Sequence, residues 1–340
     1  MNKKLKFAIN IVIILLVLGI VLYFSLKDNF NQILDCILKM NYLWFIIGIL
    51  GLVGYRTLTG ISTYLLAKLN NANMLLLRSI KISFIIQFFH GVTPFATGGQ
   101  PMEVYYMHNE GNDITKSTNI VLQNFMVYQM ALILLGLIAV TYNHKFRLFA
   151  DNTLIKKLVV VGFAINTLVL IATFVISFSK KINKFICNQG LNLLAKLKIV
   201  KNKDNTKEKL EEYLNNFHKN ATILKTHKLE VSKIVVINIL ALLSLYSIAF
   251  SVIYGLGYHD INFIDSIVTV AYIMVMGSFV PIPGGTGGIE YGYIFFFSYL
   301  IKGNILTASM LLWRLISYYL AIIIGGICLM TYRKKEKTWE

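Results

Sequence analysis

Six apolar runs, each close to or above the length needed to cross a bilayer, dominate this sequence of 340 residues. The chain is 56% hydrophobic with a mean hydropathy of +0.64, which is more apolar surface than a soluble domain of this size can bury. A helix of about 20 residues spans the hydrocarbon core. Because the runs lack the alternation of barrel strands, and lipid cannot satisfy open sheet edges, we predict an all-α polytopic membrane protein. The predicted spans are residues 7–26, 42–66, 117–140, 158–178, 234–256 and 305–330.

The positions of the basic residues predict the topology. Residues 180–233 contain thirteen Lys and five acidic residues, a net charge of +8. Because Lys-rich and Arg-rich loops stay in the cytoplasm, this loop, the basic N-terminus and the tail at 333–335 predict two cytoplasmic termini. The abundance of Lys, Asn and Ile is typical of an AT-rich bacterium, so we expect a bacterial plasma membrane. Clustering of the charge in loops argues against a nucleic-acid partner, despite a total net charge of +17.

Within this basic loop, apolar residues recur at steps of three and four. The pattern predicts an amphipathic helix, which would lie on the membrane surface or dock a partner domain. Its apolar positions are Leu210, Leu214, Phe217, Ala221 and Leu224.

The phrase Pro-x-x-Thr-Gly-Gly occurs twice, at 94–99 and at 283–288, each time inside an apolar segment. Paired Gly/Pro interruptions in two halves of a membrane protein are typical of broken helices around a transporter's binding site. With this topology, residues 80–107 and 264–301 must each enter the membrane and return to the side from which they entered. We therefore predict two oppositely inserted re-entrant hairpins in one membrane domain, with an inverted repeat of residues 42–140 and 234–330.

Two arginines and two glutamates lie inside these apolar segments. Charges in spans are costly and normally face a protein interior or a wet cavity. Arg56 and Arg314, one in each repeat, therefore suit the phosphate of an anionic lipid headgroup, because guanidinium binds oxyanions with a fork of donors. The alternative is that each arginine pairs with Glu103 or Glu290 as a structural lock, and both interpretations can hold together.

The Thr-Gly-Gly turns would allow a half-helix to begin just after them and to aim free N–H groups at an anion. Close helix packing is the alternative use of such glycines. The predicted substrate-binding residues are Arg56, Thr97, Gly98, Gly99, Glu103, Pro283, Gly284, Gly285, Thr286, Gly287, Gly288, Glu290 and Arg314. The three cysteines and six histidines form no metal-ligand spacing, so no metal or cofactor is expected.

The phrases at 93–106 and 281–290, followed by the segment 312–319, resemble the lysylphosphatidylglycerol synthase transmembrane region. The resemblance covers residues from about 4 to 332, and the best-matching positions are Pro283, Gly284, Gly285, Gly288, Glu290 and Arg314. The resemblance also implies a function. In the full-length relatives, called multiple peptide resistance factor, the membrane part flips lysyl-phosphatidylglycerol. A separate soluble domain transfers lysine from lysyl-tRNA to phosphatidylglycerol.

Only about ten residues follow the last predicted span, so we do not expect lysyl transfer by this chain alone. The expected function is translocation of an anionic or aminoacylated phospholipid, with a membrane phospholipid as ligand. The alternative implied by the resemblance is a phosphatidylglycerol lysyltransferase giving resistance to cationic peptides, or the membrane partner of a separate lysyl-lipid synthase. Whether the chain forms a homo-oligomer is left open.

Overall fold

The computed structural model describes residues 38–93, 96–149, 153–179, 222–277, 285–302 and 304–332, with a few isolated positions before and between them. Every regular element among these residues is helical. In chain order they are α1 Tyr42–Leu69, α2 Leu76–Val92, α3 Gly99–Asn109, α4 Ile114–Phe146, α5 Thr153–Phe178, α6 Ile223–Thr226, α7 Lys228–Gly255, α8 Phe263–Gly277, α9 Gly288–Phe297, α10 Asn304–Arg314, a π-helical turn Leu315–Leu320 and α11 Ala321–Met330.

Five helical stretches of the described part are long and apolar enough to cross a membrane: Tyr42–Leu69, Ile114–Phe146, Val159–Phe178, Lys228–Gly255 and Ile305–Met330. They match five of the six predicted spans, and the prediction of an all-α membrane fold is confirmed. The remaining predicted span, 7–26, lies outside the described residues. So do residues 210, 214, 217 and 221 of the predicted amphipathic helix, whereas Leu224 is buried in the short helix α6.

The centre of the fold is the antiparallel pair α1 and α7. The Asn41 amide donates to the Gly255 carbonyl at 2.9 Å, so α1 begins where α7 ends. Small residues let the two helices approach closely, because a Cβ at Gly51 would lie 2.9 Å from the Ser244 carbonyl oxygen. Ser244 in turn donates its hydroxyl to the Gly51 carbonyl at 2.9 Å.

Each predicted hairpin is a helix, a break and a second helix that returns to the end where the first one started. For α2 and α3, the Asn73 amide before α2 donates to Asn112 Oδ1 after α3 at 2.7 Å. For α8 and α9, the Tyr258 hydroxyl before α8 donates to the Leu300 carbonyl after α9 at 2.8 Å. We call these units the first and second hairpins. Their insertion into a bilayer stays a prediction.

The two hairpins have their bases at opposite ends of the molecule. Lys81 Nζ near the base of the first hairpin donates to the Thr331 carbonyl at the end of the last span, at 2.9 Å. At the opposite end, the Tyr142 hydroxyl donates to Asp265 Oδ1 in the second hairpin at 2.8 Å. These contacts join the segments that the charge pattern assigned to the same side. Which of the two ends is cytoplasmic stays a prediction.

Packing between the halves is reciprocal. The first hairpin packs its helix α2 on α11, the end of the last span, and the second hairpin packs its helix α8 on α4. Each hairpin therefore lies against the span that closes the other half, an arrangement compatible with the predicted inverted repeat. The exact bounds of the repeats, 42–140 and 234–330, stay a prediction.

Candidate functional site

The first break lies between α2 and α3, and side chains of α2 organise it. The Thr93 hydroxyl donates to the Phe89 carbonyl at 2.7 Å and accepts from the Gly98 amide at 2.9 Å. His90 Nδ1 lies 2.6 Å from the Ala96 carbonyl oxygen. The His90 ring also covers Gly99, where a Cβ would overlap the imidazole. In the described part of the first break, Thr93 and His90 therefore fill the space beside Gly98 and Gly99.

The second break ends in a turn that needs glycine. Gly285 and Gly287 have φ of +64° and +87°, a backbone region that side chains other than glycine rarely adopt. The helix α9 then begins at Gly288, as predicted, and α3 begins at Gly99, also as predicted. The Gly287 amide donates to Glu290 Oε2 at 2.7 Å. A carboxylate of the chain itself therefore lies at the helix N-terminus where we expected an anionic ligand.

Glu290 also binds the arginine of the second half. Its Oε1 lies 2.6 Å from Arg314 Nε, and the side chains are 19% and 5% exposed. The Arg314 guanidinium lies 4.4 Å from the ring centre of Tyr318, on the π-helical turn that follows. Such turns often occur at functional positions. The lock predicted as an alternative is present here.

The arginine of the first half has different partners. Arg56 is 8% exposed and donates from Nη2 to the amide oxygen of Gln87 on α2. Its guanidinium lies 4.3 Å from the ring centre of Tyr55, and its Nε is buried without a hydrogen-bond partner. No ion pair within 4 Å joins Arg56 to Glu103, both of which the structure describes. Arg56 is therefore a buried cation that a neutral amide holds.

Glu103 lies in a network of neutral polar groups. Its Oε1 accepts from the Thr63 hydroxyl at 3.1 Å and from Asn124 Nδ2 at 3.4 Å. Asn124 Oδ1 accepts from Ser62, whose hydroxyl oxygen accepts from Asn238 Nδ2, each at 2.8 Å. The network thus runs from the first hairpin through α4 and α1 to α7.

Helix numbering explains why the two glutamates differ. Counted from the capping glycines Gly98 and Gly287, Glu290 is the third residue of its helix, whereas Glu103 is the fifth. A side chain at the third position can reach back to the cap amide, as in a capping box. One at the fifth position lies more than a turn along the helix and on another face. Glu103 therefore points to α1 and α4 and leaves its helix N-terminus free of a carboxylate.

Tyr318 connects the two halves beside their breaks. Its hydroxyl donates to the Gly91 carbonyl at 2.8 Å, close to the end of α2. The Thr286 side chain of the second break also lies within hydrogen-bonding reach of this hydroxyl. Gly91 in turn packs on Ile322, where a Cβ would overlap the isoleucine. Tyr318 thus contacts Arg314 and Thr286 of the second half and the end of α2 in the first half.

The structure brings together Arg314, Glu290, Gly287 and Thr286 of the predicted residues, and it places Arg56 and Glu103 with the first hairpin. Pro283 and Gly284 lie outside the described residues. Sequence reasoning missed the structural importance of Asn238 and Ser62. An asparagine within the apolar run 234–256 was the available signal for Asn238, because a buried amide in a span must find partners.

Possible metal ligands are dispersed in the part of the chain that the structure describes. There, no three His, Cys, Asp or Glu side chains come close enough to hold a metal ion. The chemistry available at the breaks is that of guanidinium, carboxylate, amide and hydroxyl groups. Such groups bind an ionic headgroup by charge and hydrogen bonds.

The fold and the site define a class: a helical polytopic membrane protein with two broken helices and a buried arginine beside each of them. The family model described as "Lysylphosphatidylglycerol synthase TM region" matches residues 8–325, and the chain belongs to that family. The resemblance seen in the sequence is thereby confirmed.

One relative is a "UPF0104 membrane protein" of Archaeoglobus fulgidus, 23% identical over 304 residues. The match covers 85% of this chain and 86% of the relative. No solved structure matches the chain. The relative supports a shared membrane architecture along most of both chains.

Proposed function

We propose that this protein translocates an anionic or aminoacylated phospholipid, such as lysyl-phosphatidylglycerol, between the leaflets of a membrane. The observation that carries the proposal is Arg56. The residue is 8% exposed, and its guanidinium is hydrogen-bonded to the neutral Gln87 while its Nε has no hydrogen-bond partner. A buried charge without a compensating ion costs several kcal/mol, so an anionic ligand at this position would recover part of that cost.

A phosphate group suits this arginine better than a carboxylate of the chain does. Guanidinium presents donors in a planar fork that matches two oxygens of a phosphate at once. The nearest acidic side chain of the first hairpin, Glu103, is already held by Thr63 and Asn124. The phosphate would therefore meet Arg56 without first breaking an ion pair.

The second half provides the receiving position. Arg314 is paired with Glu290, and the two would separate when a headgroup phosphate takes the arginine. The freed Glu290 carboxylate, together with Glu103, would then accept a lysyl ammonium. This exchange would give a role to the arginine and to the glutamate of each half.

The class of lipid rests on the family. The family is that of the lysylphosphatidylglycerol synthase transmembrane region, which supports an aminoacylated phosphatidylglycerol as the cargo. A separate synthase that supplies this lipid is a proposed partner. The proposed location is the bacterial cell membrane with both termini in the cytoplasm.

The test is lipid translocation by the purified protein in liposomes that carry fluorescent lysyl-phosphatidylglycerol in both leaflets. A quencher added outside reports how fast label from the inner leaflet becomes accessible. We expect the Arg56→Gln variant to lose translocation, because its site no longer holds a cation for the phosphate. The matched control is Arg147→Gln, which removes the same group from an exposed position after α4.

Loss in Arg56→Gln with normal movement in Arg147→Gln would support the proposal. Equal movement in the unmodified protein and in Arg56→Gln would overturn the role of Arg56. Absence of movement in the unmodified protein, with correctly folded protein shown by thermal unfolding, would overturn translocation of this lipid.

A further inference from the structure

The second hairpin contains an apolar cleft between its two helices. Its volume is about 200 Å³, and Ile273, Met276 and Gly277 line it from α8. From α9 it is lined by Gly288, Tyr291, Gly292, Phe295 and Phe296. Ile273 on its floor is 1% exposed, whereas Tyr291 at its rim is 68% exposed. The cleft therefore leads from the outer surface of the hairpin toward its interior.

The cleft and the charged site both use residues of the first turn of α9. Gly288 and Tyr291 line it, and Glu290, which binds Arg314 and the Gly287 amide, lies between them in the first turn of α9. A molecule with an anionic head at Arg314 and an apolar tail would thus find a tail-binding surface within one helical turn. Such a molecule is a phospholipid.

The first hairpin has no matching opening at its corresponding glycine. Gly99 stands where Gly288 stands in the repeated phrase, and the His90 ring covers it. At Gly292, by contrast, an added Cβ would meet only Ile273 Cγ2, at an ordinary contact distance of 3.6 Å. The opening is therefore a feature of the second hairpin and not of the repeat as such.

We propose that this cleft holds one acyl chain of the phospholipid whose headgroup meets Arg314 and Glu290. The inference rests on the proposed function and adds the route by which the lipid reaches the site, sideways from the bilayer through the second hairpin. A soluble anion would bind at Arg314 without filling the cleft. An acyl chain seated between α8 and α9 would hold the headgroup beside the break.

The experiment uses the full chain in vesicles of phosphatidylglycerol that carries a photoactivatable diazirine near the middle of one acyl chain. After illumination, mass spectrometry identifies the labelled residues. A lipid lying against the outside of the hairpin can reach Tyr291 but not the buried Ile273. Label on Ile273 or Met276 is therefore the expected result, and label confined to exposed residues would overturn the proposal.

Two variants test whether the label on Ile273 depends on an open cleft. The Gly292→Leu variant fills the cleft against Ile273, and we expect it to lose the label on Ile273. The control is Ala164→Leu, which narrows a separate apolar groove between α4 and α5 lined by Leu137, Phe163 and Leu168, among others. It should leave the Ile273 label unchanged. If the leucine variant does not fold, Gly292→Ala places a methyl group 3.6 Å from Ile273 and should lower the label on Ile273 by a smaller factor.

The outcomes for the cleft and for translocation are distinct. Labelling of Ile273 without lipid movement in the liposome assay would keep the acyl-chain site and reject the proposed function. Lipid movement without labelling of Ile273 would reject the cleft alone. A second copy of the chain, or its own residues 7–26, crosslinked into the cleft from Tyr291→benzoylphenylalanine would also overturn the acyl-chain assignment.

Discussion

The two halves of this protein use similar parts in different ways. In the second half, the buried arginine forms an ion pair with Glu290, which also caps its helix. In the first half, Arg56 binds the neutral Gln87, while Glu103 is held by Thr63 and Asn124. The second half therefore holds its arginine and glutamate in direct contact, whereas no carboxylate of the described residues lies within ion-pair distance of Arg56 in the first half. A buried arginine without a carboxylate in contact is suited to receive an anion.

The largest expected effect separates the two glutamates. Glu290→Gln removes the charge that compensates Arg314, which is 5% exposed. Unpairing a fully buried ion pair costs about 3–5 kcal/mol, and we expect roughly 2–3 kcal/mol here because Glu290 is 19% exposed. Glu103→Gln keeps an acceptor oxygen for Thr63 and Asn124 and should cost less than about 1 kcal/mol. Thermal unfolding of the two variants in detergent measures the difference.

A double variant tests whether the stability lost in Glu290→Gln comes from the unpaired charge of Arg314. Glu290→Gln combined with Arg314→Gln removes both charges, so much of the lost stability should return. Equal losses in Glu290→Gln and Glu103→Gln would contradict the comparison between the halves. Failure of the double variant to recover would mean that Glu290 stabilises the protein through its cap at Gly287 instead of through Arg314.

The second prediction concerns a substitution that gives the arginine of the first half a carboxylate partner, like that of the second half. Gln87→Glu would give Arg56 a carboxylate at the position of its present amide partner. The arginine would then be neutralised, and we expect anionic lipid to bind about tenfold more weakly, a change of about 1.4 kcal/mol. Binding of fluorescent phosphatidylglycerol to the purified protein measures the effect.

The control for this variant is Gln100→Glu, which adds the same charge to the first turn of α3. It shares no hydrogen bond or ion pair with Arg56 among the contacts of the described residues. Affinity for the anionic lipid should fall less than in Gln87→Glu. The same loss in both variants would mean that negative charge anywhere near the break repels the lipid, and that Arg56 has no special role.

The third prediction compares the glycines of the two hairpins. A Cβ at Gly99 would overlap the His90 ring, while one at Gly292 would meet Ile273 at 3.6 Å. Inserting atoms into a packed position costs about 1–3 kcal/mol, so Gly99→Ala should lower the stability by that amount. Gly292→Ala should be nearly neutral. Unfolding temperatures of the two variants test whether the space beside Gly99 is filled by His90 and the space beside Gly292 is open.

Much of this fold could be predicted from the sequence. Apolar runs identified five of the helical spans, because a span needs a long apolar helix. The two Gly/Pro phrases marked the breaks before α3 and α9, because a break needs glycine, while re-entrant insertion of the hairpins stays a prediction. The partners of Arg56 could not be predicted in this way. Glu103 looked equivalent to Glu290, yet it lies two positions further along its helix and faces α1 and α4. Side-chain direction depends on the helix start, which a repeated phrase alone does not reveal.

The smallest predicted effect concerns the contact that joins the halves. Tyr318→Phe removes the hydroxyl that donates to the Gly91 carbonyl at 2.8 Å but keeps the ring beside Arg314. Hydrogen bonds between membrane helices contribute about 0.6 kcal/mol on average, so the loss of stability should be of that size. Tyr291→Phe, at a side chain that is 68% exposed, is the control and should change nothing. If the hydroxyl also couples the two breaks, the combination of Tyr318→Phe with Gln87→Glu will weaken lipid binding by more than the two separate changes predict. Additive effects would show that the first half binds its anion independently of the second.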